Sequence, residues 1–286
     1  MPVTLKDIAN QIGKSVTTVS RALHDYPDVS PETKALVRQT AEEMGYTPNI
    51  MAQRLQSKRS EIIGFVIPTY GPRFADPFFS EFLAGIGNRA AKLGYDILVS
   101  TRAPGEEELS AYRRKVNSYS VDGFILVRTR KQDPRIEYLC EQDFPFVSFG
   151  RVEGNCSFPF VDVDNEFGMR QLAAHLIELG HTRIAYIAAP DDLMFAQFRK
   201  AGFINRLKEK GIDPDPNLIV EGDLTQQGGL IAATQLLELD DPPTAIAASN
   251  DLMAFGAISA ALKKGLRVGE DIAITGFDNV PQAEHY

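Results

Sequence analysis

The segment Ser15-Val-Thr-Thr-Val-Ser-Arg21 carries hydroxyls, small apolar side chains and a guanidinium within two turns. These groups match what a nucleic-acid duplex offers. A hydroxyl can donate to or accept from a base edge, an apolar side chain can meet a thymine methyl, and a guanidinium can fork to guanine or phosphate. The chemistry works only if a helix carries the residues into a groove, and the flanking sequence supplies that helix and a second one to hold it. Thr4, with Asp7 three residues on, is a capping-box variant that can start a first helix. Leu5, Ile8, Ala9 and Ile12 then share one helical face. Gly13 stops that helix, because glycine accepts a left-handed backbone at little cost. Ser15 can cap the second helix, whose apolar residues are Val16, Val19 and Leu23. Two capped helices joined by so short a turn predict a helix-turn-helix that offers its second helix to a major groove. A third helix opens at Ser30-Pro31-Glu32 and is expected to run to about Met44. Leu36, Val37, Ala41 and Met44 are expected to close a small core with Ile8, Val19 and Leu23.

The spacing is more specific than a generic helix-turn-helix. Leu5-x-Asp7-Ile8-Ala9, Ser15-x-x-Thr18-Val19-Ser20-Arg21, Val29-Ser30-x-x-Thr33 and Gly45-Tyr46-x-Pro48-Asn49 follow one another, with Gly180-His181 and Gly276-Phe277-Asp278-Asn279 downstream. Together they resemble the lactose-repressor (LacI/GalR) family of bacterial transcription regulators. The resemblance implies a double-stranded, pseudo-palindromic DNA operator, a homodimer with one head per half-site, and a small-molecule effector. It assigns Thr4, Ser15, Val16, Thr17, Ser20, Arg21, Asn49, Ala52 and Leu55 to DNA. Val16 and Thr17 would read base edges, and Arg21 a guanine or a phosphate. Leu55 would wedge into the minor groove beside its partner's copy, and Ala52 would let the paired segments approach closely. The bland alternatives are a core position for Val16, a solvated charge for Arg21 and ordinary packing for Leu55.

Charge supports the division. The chain of 286 residues has a net charge of −8, yet residues 1–59 hold eight Lys/Arg against six Asp/Glu, a balance of +2. The remainder stands at −10. Phosphate affinity must therefore come from local cations and helix amino ends rather than from bulk charge. No twenty-residue apolar run spans a membrane, and the start has no secretory apolar core, which predicts a cytoplasmic protein. Two cysteines, Cys140 and Cys156, are too few for a disulfide framework and read as ordinary thiols.

The expected organisation is a DNA-binding head at 1–46, a hinge and linker at 47–60, and an α/β core in two lobes, 61–163 and 164–286. The hinge spans only about two turns, and isolated helices shorter than ~12 residues are marginal in water. It is therefore expected to become helical only on DNA. Apolar runs at Ile62–Ile67, Asp96–Val99, Gly123–Val127, Phe146–Phe149 and Phe160–Val163 read as buried strands, alternating with helices. A second set runs Ile184–Ala188, Leu218–Val220, Ala245–Ala248 and Ile272–Thr275. Alternation of this kind predicts parallel sheets. The family resemblance implies a periplasmic-binding-protein-like fold with the effector between the lobes. Family members continue beyond Tyr286, so it also implies that the second lobe is incomplete.

Carried over by motif, the effector residues are Phe79, Arg199, Leu224, Asn250 and Asp278. Phe79 would offer a flat apolar surface, Arg199 would fork to vicinal hydroxyls or a carboxylate, and Asn250 and Asp278 would bond hydroxyls. Leu224 occupies a place that is often aromatic in sugar-binding members. For each polar residue the alternative is a loop hydrogen bond that serves the fold. The chain has no tryptophan, so stacking on a sugar must come from phenylalanine or tyrosine. The set suits a carbohydrate. No catalytic residue, metal ligand or cofactor is expected. Gly13-Lys14-Ser15 lacks the first glycine of a phosphate loop, and the four histidines show no metal spacing. From residue 61 onward, a soluble sugar-binding protein or an enzyme using the same cleft would fit equally well.

Overall fold

The structure, a computed structural model, describes residues 3–47, 59–69, 76–152 and 157–286. The chain divides into two compact units, Met1–Arg59 and Ser60–Tyr286.

In the first unit, helices α1 (Leu5–Ile12), α2 (Val16–Leu23) and α3 (Pro31–Glu43) enclose a small apolar core. Ile8, Val19, Ala22 and Val37 are fully buried in it. Gly13 turns the chain between α1 and α2 with φ 65°, the left-handed conformation that a side chain resists. One expectation fails here, and one alternative falls away. Leu36 is 45% exposed, because Val37, one residue on and about 100° around the helix, takes the inward position. Val16 is 44% exposed and does not belong to the core.

The second unit holds two parallel sheets. The first lobe runs β1 (Ile62–Pro68), α4 (Pro77–Lys92), β2 (Asp96–Arg102), α5 (Glu106–Asn117), β3 (Gly123–Leu126), α6 (Pro134–Glu141), β4 (Phe146–Phe149) and β5 (Phe160–Val161). Its strand order is β2-β1-β3-β4-β5. The second lobe runs α7 (Asn165–Glu178), β6 (Ile184–Ala188), α8 (Met194–Glu209), β7 (Ile219–Glu221), α9 (Gln226–Leu237), β8 (Ala245–Ala248), α10 (Asp251–Lys263) and β9 (Ala273–Thr275), in the order β7-β6-β8-β9. In each sheet the order reverses beside the lobe's first strand. A crevice opens at the carboxyl ends of the strands at that reversal, where loops from both sides converge.

Central strands β6 and β8 are buried along their length, as continuous apolar runs in a doubly covered sheet should be. Leu98 and Val99 of β2, and Phe160 and Val161 of β5, are exposed instead. These runs read as buried from composition, but both strands lie at sheet edges, a position that hydrophobicity alone does not reveal. In the second lobe α9 and α10 pack backbone against backbone. A Cβ at Gly229 would collide with the Met253 main chain, and one at Gly256 with that of Gln226. Cys140 is disulfide-bonded rather than an ordinary thiol; Cys156 lies outside the described residues.

The lobes are also stitched together directly. The Met194 N–H donates to the Thr129 carbonyl at 2.9 Å, and the Lys131 N–H to the Asp192 carbonyl at 2.9 Å. Arg130 reaches Asp192 at 3.8 Å while also pairing with the buried Glu108 at 2.7 Å. Residues 128–131, just past β3, therefore stand at a fixed place against the opposite lobe.

Candidate functional site

On α1, the Asp7 carboxylate accepts from the Thr4 N–H at 2.9 Å and from its hydroxyl at 2.7 Å. These bonds hold the Asp7 carboxyl below its ordinary value, the Thr4 side-chain bond most of all. Ser15 Oγ accepts from the Thr18 N–H at 3.1 Å and so caps α2. Val16 and Thr17 then stand exposed in its first turn while Val19 is fully buried. Ser20 and Arg21 are half-buried one turn further on. Arg21 is not a free cation. It pairs with Asp28 at 2.7 Å and lies 4.8 Å from the Tyr26 ring centroid. Any phosphate or guanine it meets must compete with that carboxylate. Asn49, Ala52 and Leu55 lie outside the described residues.

In the second unit a cavity of about 620 Å³, counting its open mouth, lies between the lobes. Phe79, Arg199, Leu224, Asn250 and Asp278 all line it, although they are far apart in sequence and come from both lobes. Their placement follows from helix starts and strand ends. Asp76 caps α4 by accepting from the Phe78 N–H at 3.1 Å, which brings Phe78 and Phe79 into its first turn. Asn250 caps α10 by accepting from the Met253 N–H at 3.1 Å, and its amide donates to the Leu224 carbonyl at 3.2 Å. Leu224 and Asp278 take positive φ values of 67° and 101°, conformations that non-glycine residues hold only when their surroundings enforce them.

Arg199 is the most constrained of the five. It donates through Nε to Asn165 Oδ1 at 2.8 Å, through Nη1 to the Ser249 carbonyl, and through Nη2 to Asp278 Oδ1 at 2.9 Å. Its guanidinium lies 3.7 Å from the Phe277 ring centroid and 4.8 Å from that of Phe195. A guanidinium has five N–H donors, so three are engaged within the protein. Asp278 has an exposed backbone but a side chain only 22% exposed. Burial pushes its carboxyl up from 3.8 to about 6, against the pull of Arg199 and with further upward pushes from Asp251 and Asp76.

Phe79 differs from expectation. It is only 1% exposed, with the Arg128 guanidinium 5.0 Å from its centroid and Phe78 packed edge-on at 5.4 Å. The half-buried aromatics of the cleft are Phe78, Phe149 and Phe195. Sequence reading also missed Asp76, Arg128, Thr129, Asp162 and Asn165, which line the same cavity. A signal for Arg128 existed. It stands two residues past β3, and ligands in parallel α/β sheets gather at the carboxyl ends of strands.

Two family profiles match this arrangement. Residues 4–49 match the bacterial regulatory proteins of the lacI family, and residues 60–286 match the periplasmic binding proteins and sugar binding domain of the LacI family. The chain belongs to the LacI family of transcriptional regulators. Among its relatives is the HTH-type transcriptional regulator AglR of Rhizobium meliloti strain 1021, 40% identical over 98% of this chain and 79% of AglR. The lac repressor dimer bound to operator and the anti-inducer ONPF superposes with a TM-score of 0.86, at 32% identity over 100% of this chain and 85% of that one. A complex of the transcriptional regulator CelR with cellobiose matches with a TM-score of 0.73, at 32% identity over 99% and 85%. As a LacI-family member the chain is a DNA-binding regulator, and its α/β core has the periplasmic-binding-protein-like fold. No helix among the described residues is long and apolar enough to cross a membrane.

Proposed function

We propose that this protein is a cytoplasmic, non-enzymatic repressor that binds a pseudo-palindromic operator as a homodimer and is switched by an uncatalysed small ligand, a carbohydrate, held between its lobes. Residues 1–46 form the reading head, 47–60 the hinge, and 61–163 and 164–286 the two lobes. In the head, Val16 and Thr17 meet base edges, while Thr4, Ser15, Ser20, Arg21 and Asn49 position the helix on the backbone or contact it. Leu55 and Ala52 act from the hinge, where insertion of an apolar wedge costs a few kcal/mol of unstacking and admits more contact through the bend. In the cleft, Asn250 and Asp278 present hydrogen-bonding groups to ligand hydroxyls, Arg199 holds that wall together, and Leu224 and the aromatic residues cover the ligand's apolar faces. A ligand that favours one lobe angle changes the separation of the paired hinges. The coupling needed is about 1–3 kcal/mol.

One observation chiefly supports this reading. Five residues from five separate segments, assigned to a ligand through the family resemblance, line one cavity, in a chain whose head exposes Val16 while burying Val19. The test is fluorescence anisotropy with a duplex selected from a randomised library. Arg21→Ala and Leu55→Ala should each weaken binding with the body still folded. Removing residues 1–60 should abolish DNA binding and leave ligand affinity intact. A sugar-binding protein or enzyme using the cleft alone would lose nothing by that deletion, and full activity without the head would overturn the repressor reading.

A further inference from the structure

The cleft carries a second arginine–aspartate pair that the sequence reading did not anticipate. Arg128 Nη2 meets Asp76 Oδ2 at 2.7 Å, with side chains 13% and 20% exposed, on the wall opposite Arg199 and Asp278. Arg128 is placed there with unusual insistence. Its φ is 51°, a conformation that costs a non-glycine residue on the order of 1 kcal/mol or more and persists only where neighbours impose it. The neighbours are identifiable. The fully buried Arg135 donates to the Val127 carbonyl at 3.2 Å and to the Arg128 carbonyl at 3.0 Å. Arg135 is itself neutralised by Glu108 at 2.8 Å and Asp133 at 2.6 Å, both buried. On the next residue, the Thr129 carbonyl accepts from Met194 of the other lobe. A buried ionic scaffold, with no access to the ligand, thus fixes the backbone from which one guanidinium enters the cavity.

Among the described residues, the cavity lining holds two cations, Arg128 and Arg199, and three carboxylates, Asp76, Asp162 and Asp278. Each cation already has its carboxylate, and Asp162 faces Arg151 at 3.6 Å. A phosphate or carboxylate ligand would meet no uncompensated cation: it would either displace an aspartate from its guanidinium or sit beside that aspartate and repel it in a half-enclosed site. A hydroxyl makes no such demand. It can accept from the guanidinium and donate to the carboxylate of the same pair, because it is both donor and acceptor. Two such pairs on opposite walls, with Phe78, Phe149 and Phe195 between them, fit a ligand with hydroxyls at both ends and apolar faces in the middle.

We infer that Arg128 and Asp76 form a specificity-determining pair, through which the cleft selects an uncharged, polyhydroxylated ligand and rejects phosphorylated or carboxylated analogues of the same size. The inference rests on the reading of the cleft as the effector site, but not on the ligand being a sugar. It is tested by isothermal titration calorimetry on the full chain with glucose, trehalose and cytidine, each against its own phosphate monoester. At least one neutral compound should bind about tenfold or more tightly than its ester. Asp76→Asn keeps a good helix cap and frees the guanidinium from its counter-charge, so the preference should narrow by about tenfold. Arg128→Met should weaken the neutral ligand without improving the ester. An ester that binds the wild type as tightly as its neutral partner overturns the inference. So does a preference unmoved by Asp76→Asn, or the failure of every neutral compound to bind. If cytidine binds in place of both sugars and its ester is rejected, the carbohydrate assignment falls and the charge selection stands.

Discussion

The two walls of the cleft each present an arginine paired to an aspartate, and the pairs are built differently. Arg199 is held by Asn165, the Ser249 carbonyl and Asp278, and is flanked by two phenylalanine rings. It ties α7, the end of β8 and the loop after β9 into one piece. Arg128 meets Asp76 and covers Phe79, while its backbone, not its side chain, is what the buried scaffold grips. The same two residue types therefore serve unequal ends. The first pair is a keystone of the second lobe that also faces the ligand. The second is a side-chain pair placed by a rigid backbone, where its partners can change without dismantling the fold.

The contrast can be broken by substitution. The largest effect should come from Arg199→Ala, which strands a buried carboxylate and a carbonyl. Removing one member of a buried pair costs about 3–5 kcal/mol, read as a lower denaturant midpoint for the body, and Arg128→Ala should cost less than half as much. Equal losses would show that both pairs are structural.

Acid titration separates the walls next. The Asp278 carboxyl is raised to about 6, so the folded state binds this proton more tightly than the unfolded chain does. Its contribution to stability accordingly declines as pH rises from about 4 to about 6 and is level above that. Ligand affinity runs the other way. The ionised carboxylate accepts the ligand's hydroxyl, so affinity should fall toward about tenfold per pH unit once the pH drops below about 6. Asp278→Asn should flatten that profile, whereas Asp76→Asn should keep its shape and move it slightly to lower pH, because one of the upward pushes on Asp278 is gone. A profile unchanged by Asp278→Asn would remove this residue from ligand contact.

Smaller effects sharpen the picture. Phe149→Leu keeps an apolar side chain but removes a ring, and should weaken ligand binding about fivefold, consistent with about 1 kcal/mol per aromatic contact. The smallest expected change is the stability of Asp76→Asn. Asparagine and aspartate cap helices about equally well, and the asparagine oxygen can still accept from Arg128, so the loss read from its thermal midpoint should be about 1 kcal/mol, that of exchanging a charged partner for a neutral one beside a largely buried guanidinium. A larger loss would mean that the pair with Arg128 carries structural weight after all.

Much of the molecule was legible along the chain. The three head helices, their caps at Thr4, Ser15 and Ser30, and the alternation of strands and helices in the body follow from short-range rules, since capping, glycine stops and apolar periodicity each act within a few residues. The strand expected at Gly123–Val127 is found at Gly123–Leu126, a difference of one residue. What was illegible depends on neighbours distant in sequence. Leu98, Val99, Phe160 and Val161 are as apolar as core residues, and only their sheet-edge position exposes them. Phe79 has the right type for stacking on a ligand, but Arg128, 49 residues away, lies over its ring.

Short-range chemistry along the chain determined the reading helix, the helix ends that point into the cleft and the residue types available to a ligand, because those depend on neighbours within a few positions. Which charges meet was decided only in three dimensions. Arg21 turns to Asp28, Arg128 to Asp76 and Arg199 to Asp278 because the fold brings each guanidinium to one particular carboxylate among many. An electrostatic interaction depends on separation in space and on burial, and neither is encoded in the order of residues.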